Sequence, residues 1–281
     1  MIPWARAGVG TVATQSLSNT RYGGQGLELM ARGATAEETL RIITRDDPDL
    51  AMRQLGMVDA QGRAASFTGA ETFDWAGGRV GYPDGRGSLA GGKGQMLVGR
   101  SFAAQGNLLA SDRTVANMAE TFEQSQGELV ERLLAALKAG QAGGGDRRGM
   151  QSAALLVVRK EGGYLGLNDR YVDIRVYDAP DPIAELERLL RLYKLYFFPS
   201  EAQDLIDLAP EVIETLESIL LAEPVRREQK WLAVPQGVAN HTLLEALRNF
   251  MYWENYDMRV RMDGKIDRVV MADILAKREP H

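Results

Sequence analysis

Cysteine is absent and histidine nearly so, with only His241 and His281 in 281 residues. The first absence excludes disulfides, thiol catalysis and cysteine metal sites, and two histidines are too few for a histidine zinc set. No metal and no cofactor are therefore expected. A Ser-His-Asp triad would have to use His241, because His281 is the terminal residue. Neither Ser-x-x-Lys nor Gly-x-Ser-x-Gly occurs. The bases left for a hydrolase are a lysine, a carboxylate or a free α-amino group, whose pKa near 8 suits proton transfer at neutral pH. No apolar run approaches the roughly 20 residues of a membrane helix, and no signal-peptide pattern opens the chain. The expectation is a cytoplasmic protein without a membrane partner. With a net charge of -5 and arginines scattered rather than striped, no nucleic-acid partner is expected either. Self-association into a homo-oligomer is left open.

What is present is a chain 45% hydrophobic, enough to bury a proper core. Val9 to Ser16 alternates as a strand. Gly8, Gly10 and Ala13 match the dinucleotide fingerprint only formally, because β-branched residues follow where a helix should start. Asn19 to Gly26 reads as a polar glycine loop, followed by a helix that Gly33 stops. Thr35 with Glu38 is a capping box for a second helix through Ile43. Met52 to Thr68 is expected to form a hairpin turning on Ala60-Gln61-Gly62. Gly77 to Gly99 reads as a long surface loop; Gly87, Gly92 and Lys93 have phosphate-loop spacing, but Gly94 replaces the required hydroxyl residue.

Ser101 to Leu109 resembles a strand interrupted at Gln105-Gly106-Asn107. Ser111 or Asp112 caps a helix through Phe122, and another amphipathic helix covers Glu128 to Leu137. Gly143, Gly144 and Gly145 then hold Asp146, Arg147 and Arg148 in a tight loop. Ser152 stands at the mouth of an apolar run, Ala153 to Val158, expected to be a strand buried on both faces. Asn168 to Tyr177 gives another strand, with a structural ion pair expected around Asn168, Asp169 and Arg170. Pro182 opens a long helix. This order suits an α+β sandwich of sheets covered by helices. From residue 199 to 281 the pattern changes to a small, mainly helical domain, with helices at Ser200 to Leu208, Pro210 to Ala222, Thr242 to Glu254 and Asp267 to Ala276. Its aromatics Phe250, Tyr252, Trp253 and Tyr256 are expected to form that domain's core.

The stretches PWARAGVGTVATQS, NTRYGGQGL, VDAQGRAASFTGA, AAQGNLL, GGDRRGMQSAALLVVR, GLNDRYVDIRV and ALRNFMYWEN resemble the bacterial Ntn-hydrolase-like family known as domain of unknown function 1028, with a C-terminal peptidoglycan-binding-like module. The resemblance implies a four-layer α-β-β-α fold over residues 1–198 and amide-bond hydrolysis by an N-terminal nucleophile. The substrate would be a small amide or peptide. Asp146 would then orient or polarise, Arg147 would bind an anionic substrate group, and Gln105 or Asn107 would offer an amide donor to the oxyanion. Ser152 joins the catalytic set, and Asn19 and Arg21 the substrate-binding set. Against this stand structural roles: Asp146 accepting amide bonds of its own loop, and Asn107 satisfying a bulge. The sequence departs from relatives by an insertion at Gly81 to Arg100 and by starting inside the first motif. The first strand with its nucleophile is thus expected to be missing, Met1 to be an internal methionine, and the chain to be inactive as written. The alternative function is a non-catalytic cytoplasmic binding protein for a peptide or cell-wall fragment.

Overall fold

The computed structural model describes residues 3–82, 89–227 and 240–276, and the chain divides into two compact units, Met1–Leu189 and Leu190–His281. In the first unit β1 (Trp4–Arg6) and β2 (Gly10–Ser16) precede α1 (Arg21–Ala31) and α2 (Ala36–Thr44). There follow β3 (Arg53–Asp59), β4 (Arg63–Thr68), β5 (Gly77–Val80), β6 (Leu89–Gly91), β7 (Met96–Arg100) and β8 (Ala103–Gly106). The helices α3 (Arg113–Gln124) and α4 (Leu129–Ala142), the strands β9 (Ala153–Val158) and β10 (Arg170–Val176), and the start of α5 (Pro182–Phe197) complete it. The strands form antiparallel sheets: five in the order β1-β2-β3-β4-β7, three in the order β6-β5-β8, and the pair β10-β9. The protein is a mixed α+β fold.

The local chemistry explains where elements start. Thr35 accepts from the backbone N–H of Glu38 while Glu38 accepts from that of Thr35, so the capping box is made in full. Ala36 and Leu40, one helical turn apart, are buried against the five-stranded sheet with Val12, Tyr22, Leu55 and Met57. Each fully buried large side chain of this layer is worth about 1.5–3 kcal/mol. A second cluster joins the two larger sheets through Ala64, Val80 and Leu97, with Val58 and Ala103 against it. A third packs Ala119, Phe122 and Ala136 of α3 and α4 on Phe102 and Ala104.

Four expectations are corrected. Of the glycine loop expected at 19–26, residues 21–26 are the first half of α1, where Gly23 and Gly26 provide close approach rather than turns: a Cβ on Gly23 would fall 2.2 Å from the ring of Trp4, and one on Gly26 3.0 Å from Val12. The stretch Gly77 to Gly99 is not one long surface loop: β5, β6 and most of β7 lie in it. A Cβ on Gly99 would meet the Gly81 carbonyl oxygen at 2.1 Å, and Val80 is fully buried. Gly87 lies outside the described residues. The run Ala153 to Val158 is a strand but not one buried on both faces; Leu155 and Val157 are buried and their neighbours half-buried, and among the described residues it pairs with β10 alone. The helix expected to end at Leu137 runs to Ala142. Of the two residues expected to cap α3, Ser111 is the one whose side chain accepts a backbone N–H, that of Arg113, which agrees with the reading.

In the second unit β11 (Leu205–Asp207) pairs with β12 (Lys265–Asp267), and α6 (Pro210–Arg227), α7 (Asn240–Trp253) and α8 (Arg268–Ala276) surround them. The helix expected at Ser200 to Leu208 is therefore a short turn and a strand, its ladder partner lying some way off in sequence. Leu216, Leu243, Leu247, Tyr256, Ile266 and Ile274 make the core. Of the aromatic cluster, Phe250 and Tyr256 are in that core whereas Tyr252 and Trp253 are exposed. Arg259 donates to the carbonyls of Leu195 and Lys194 and pairs with Asp267, both side chains being buried.

Candidate functional site

Polar groups of the first unit gather in three places. The first is a cluster of carboxamides where β2, β3 and the end of β8 meet. Gln54, fully buried, donates to Thr68 Oγ1 at 2.9 Å, to the Gly106 carbonyl at 2.8 Å and to the Gly77 carbonyl at 3.2 Å. Its Oε1 accepts from Gln15 at 2.8 Å and from Asn107 at 2.9 Å. Gln15 also reaches the Gln105 carbonyl at 3.4 Å. Ser66 Oγ donates to Gln105 Oε1 at 3.5 Å, and Gln105 Nε2 has no hydrogen-bond partner among the described residues. The Gln105 side chain lies over Gly56, where a Cβ would stand 2.3 Å from its amide atoms. Two non-glycine residues beside the cluster, Ser16 (φ 67°) and Leu108 (φ 56°), adopt left-handed backbone. Such geometry costs about 1–3 kcal/mol and persists only where the surroundings enforce it.

Gln105 opens onto a cavity of about 410 Å³, walled by Thr11 and Val58 of the five-stranded sheet, Met118 of α3, Leu133 of α4 and Leu156 of β9. A hollow of about 270 Å³ shares these walls and extends to Pro3, Ala13 and Gly56. Among the described residues the one ionisable group on either wall, Asp59, is engaged elsewhere: it accepts from the backbone N–H groups of Gln61 (3.0 Å) and Arg63 (2.9 Å) and from Arg63 Nε at 2.6 Å. The cavity is thus uncharged and apolar, with a carboxamide at its edge.

The second place is a hollow of about 540 Å³ lined by Gln141, Asp146, Arg148, Gly149, Gln151 and Ser152. Asp146 accepts from Arg148 through backbone N–H (2.8 Å), Nε (3.0 Å) and a terminal nitrogen (2.7 Å). That guanidinium holds its carboxyl below the ordinary carboxylate range, partly opposed by burial. The glycine loop is fastened to the Asn107 loop by main chain, through the Leu109–Asp146 bridge, the Arg147 N–H on the Leu108 carbonyl at 2.8 Å and the Ala110 N–H on the Gly145 carbonyl at 2.9 Å.

The third place is an ion cluster at the base of α1. Asp47 takes Arg53 Nε at 2.8 Å, Asp49 takes another Arg53 nitrogen at 3.0 Å, and the Tyr22 hydroxyl donates to Asp47. Arg53 and Asp47 are almost wholly buried. Arg53 holds Asp47 well below its ordinary value, whereas burial and then the bond to Asp47 push Tyr22 up to about 12.

The structure therefore places Gln105 and Asn107 in the carboxamide cluster, and Asp146 and Ser152 in a hollow elsewhere; of the first two only Gln105 lines a cavity. Arg147 is exposed, donates to the Asp74 carbonyl at 3.3 Å and lines neither. Asn19 accepts the backbone N–H of Arg21 at 3.2 Å, so this pair shapes the first turn of α1 and lines neither hollow. Asn168 and Asp169 shape a turn by accepting the N–H groups of Arg170 and Glu161, while Arg170 pairs with Asp173. Sequence reasoning missed Gln15 and Gln54. Their signal was a glutamine within two otherwise strand-like segments, a polar group that burial obliges to find partners. Among the described residues no group of three or more potential metal ligands is gathered, and no helix is long and apolar enough to cross a membrane.

Fold and site define a mixed α+β domain of antiparallel sheets and covering helices, with an apolar cavity edged by the carboxamide of Gln105. The family model of the family of unknown function DUF1028 matches residues 1–84 and 82–186, and the chain belongs to that family. It is similar to the crystal structure of protein SPO2555 from Silicibacter pomeroyi, also assigned to DUF1028, at 30% identity and a TM-score of 0.55 over 69% of this chain and 74% of that one. No curated protein matches.

Proposed function

We propose that the first unit binds a small uncharged amide or peptide in the cavity beside β8, on a four-layer α-β-β-α scaffold of the Ntn-hydrolase type. The observation that carries this reading is Gln105. It is set at the edge of an apolar cavity, positioned over Gly56, with one amide nitrogen unengaged among the described residues. An apolar cavity with a few placed polar groups suits a small ligand, and a carboxamide pairs with an amide without either partner carrying charge. The three clusters described above, helix on sheet, sheet on sheet and sheet on helix, support the four-layer order.

A hydrolytic reading is favoured by one observation. Pro3 lines the same cavity as Gln105, which is where an N-terminal nucleophile would act. Met1, Ile2 and Pro3 carry no hydroxyl or thiol, so none of these three residues is a nucleophile for that reaction. Asp146 and Ser152 form a polar hollow of their own, with the carboxylate committed to Arg148. The module from 199 to 281, read as peptidoglycan-binding-like, has no part in amide binding on this proposal.

The test is titration with N-acetyl amino-acid amides, the reaction mixture being followed by mass spectrometry. Saturable binding that Gln105→Ala weakens at least tenfold, with no product, is expected. Binding that is indifferent to Gln105→Ala, or a preference for anions, overturns the reading. Product release would transfer it to the hydrolytic one.

A further inference from the structure

The last strand of the first unit carries a symmetry that amide binding does not use. Among the described residues β10 pairs with β9 alone, so its other edge presents unpaired N–H and C=O groups. β10 lines none of the hollows described above. From Arg170 to Asp178 the chain reads RYVDIRVYD. About Ile174 this is a palindrome in which the apolar and aromatic positions repeat and the charged ones change sign. Val172 matches Val176 and Tyr171 matches Tyr177, while Asp173 matches Arg175 and Arg170 matches Asp178. Val172, Ile174 and Val176 form one buried row, and Asp173 and Arg175 share the opposite face, where Arg175 Nε donates to Asp173 at 2.9 Å. Tyr177 is 81% exposed. The bulge in the pairing with β9 falls between Arg170 and Val172, outside the central run from Val172 to Val176.

We propose that the free edge of β10 is a self-recognition surface: a second copy of this chain adds antiparallel along it, about a twofold axis through Ile174. Residues directly opposite each other in such a pair lie on one face, with Cβ atoms about 4.5–5.5 Å apart. On this axis each Asp173 meets Arg175 of the second copy and each Arg170 meets Asp178. Val172 meets Val176, so the buried apolar row continues across the junction, and Tyr171 with Tyr177 closes either end. Charged side chains by themselves keep sheet edges apart. Here their order makes one register attractive and its neighbours repulsive, because an axis through residue 173 sets Asp173 against itself and one through residue 175 sets Arg175 against itself. A copy of the same strand meets every one of these positions with its complement, which is what selects this chain as the occupant. The proposal is independent of what the Gln105 cavity binds.

The experiment follows sedimentation of the full chain across a range of concentrations, with hydrogen exchange measured at low and at high concentration. A reversible equilibrium between one copy and two is expected, with exchange slowed in 171–177 as the pair forms. Arg175→Asp and Asp173→Arg, each alone, set like charges opposite one another and should weaken pairing at least tenfold. An equimolar mixture of these two variants should recover it, each supplying what the other lacks. The double variant Asp173→Arg/Arg175→Asp keeps the ion pair within the strand and inverts both halves of the match. It is expected to pair with itself as tightly as the unaltered chain and, in native mass spectrometry of a mixture, to pair with that chain at least tenfold more weakly. Where a single variant fails to fold, the double variant decides. A chain that stays single up to about 1 mM, a pair formed without protection in 171–177, or free mixing of the double variant with the unaltered chain overturns the proposal. Self-association of either single variant at the unaltered strength does so as well.

Discussion

The ion cluster of Tyr22, Asp47 and Arg53 and the carboxamide cluster of Gln15, Gln54, Gln105 and Asn107 both tie distant parts of the first unit together, yet they do so by opposite means. In the ion cluster every group is charged or bonded to a charge, and each is satisfied from inside. In the carboxamide cluster nothing is charged, and one member, Gln105, faces a cavity. A buried charge is tolerated only when its partners are complete, so such a cluster closes on itself and serves the fold. Neutral amides carry a smaller desolvation cost, so one can be left facing a ligand site.

The largest effect is expected from Arg53→Met. It leaves Asp47 buried without its cation, which costs about 3–5 kcal/mol and is measurable as a lowered urea midpoint. Amide binding by the folded fraction should change less than twofold. A stability loss below about 1 kcal/mol would mean that Asp47 finds other partners and that the contrast between the clusters is false.

Next comes Gly56→Ala. The new methyl would occupy the place of the Gln105 amide, and overpacking of this sort costs about 1–3 kcal/mol. The distinguishing outcome is on binding: at least a tenfold loss for N-acetyl amino-acid amides, matching Gln105→Ala. Unchanged affinity would show that the position of Gln105 over Gly56 is incidental.

Gly56 also shows where the sequence could be read and where it could not. The capping box of Thr35 and Glu38 and the hairpin on Gly62 were legible because each is decided within a few residues. The glycines of α1 and of Gly77 to Gly99 were misread as turns, since what requires a small residue there, the Trp4 ring or a facing carbonyl oxygen, lies far off in sequence. The candidate site was half legible for the same reason. Gln105 and Asn107 were marked by a glycine inside a strand, whereas Gln54, which links Asn107 to Gln15, is reached only across the sheet pairing. Asp146 and Ser152 lie close in sequence and share a hollow, but nothing local reveals that it differs from the Gln105 cavity.

pH separates the two clusters without mutation. Asp47 is held below its ordinary value, so its contribution to stability is complete above the unfolded carboxyl's pKa near 3.9 and is lost as pH falls from there towards the folded value. Tyr22 is pushed up to about 12; the neutral phenol is the favoured form, so its contribution is complete below about 10 and disappears as pH rises from there. Carboxamides do not titrate. Denaturation midpoints should therefore fall at both extremes, while the affinity for an uncharged amide stays flat from about pH 5 to 9. A sigmoidal change of affinity inside that window would mean that an ionised group, not Gln105, does the recognising.

The smallest effect tests a polar group that belongs to neither cluster. Thr14 is fully buried on β2, next to Gln15, and its hydroxyl has no hydrogen-bond partner among the described residues. Successive side chains on a strand alternate between faces, so Thr14 points with Val12 into the layer under α1 and α2, away from Gln15 and the cavity. A buried hydroxyl without a partner carries its desolvation cost uncompensated, and valine replaces it at nearly the same volume. Thr14→Val is thus expected to raise stability by about 0.5–1 kcal/mol and to leave amide affinity within twofold. Ser66, which bonds Gln105 Oε1, supplies the matched control: Ser66→Ala should weaken amide binding while changing stability little. If Thr14→Val destabilised the protein by more than about 1 kcal/mol, its hydroxyl would have to be bonded in solution, and the helix-facing layer of this sheet would hold a third polar tie of the closed kind.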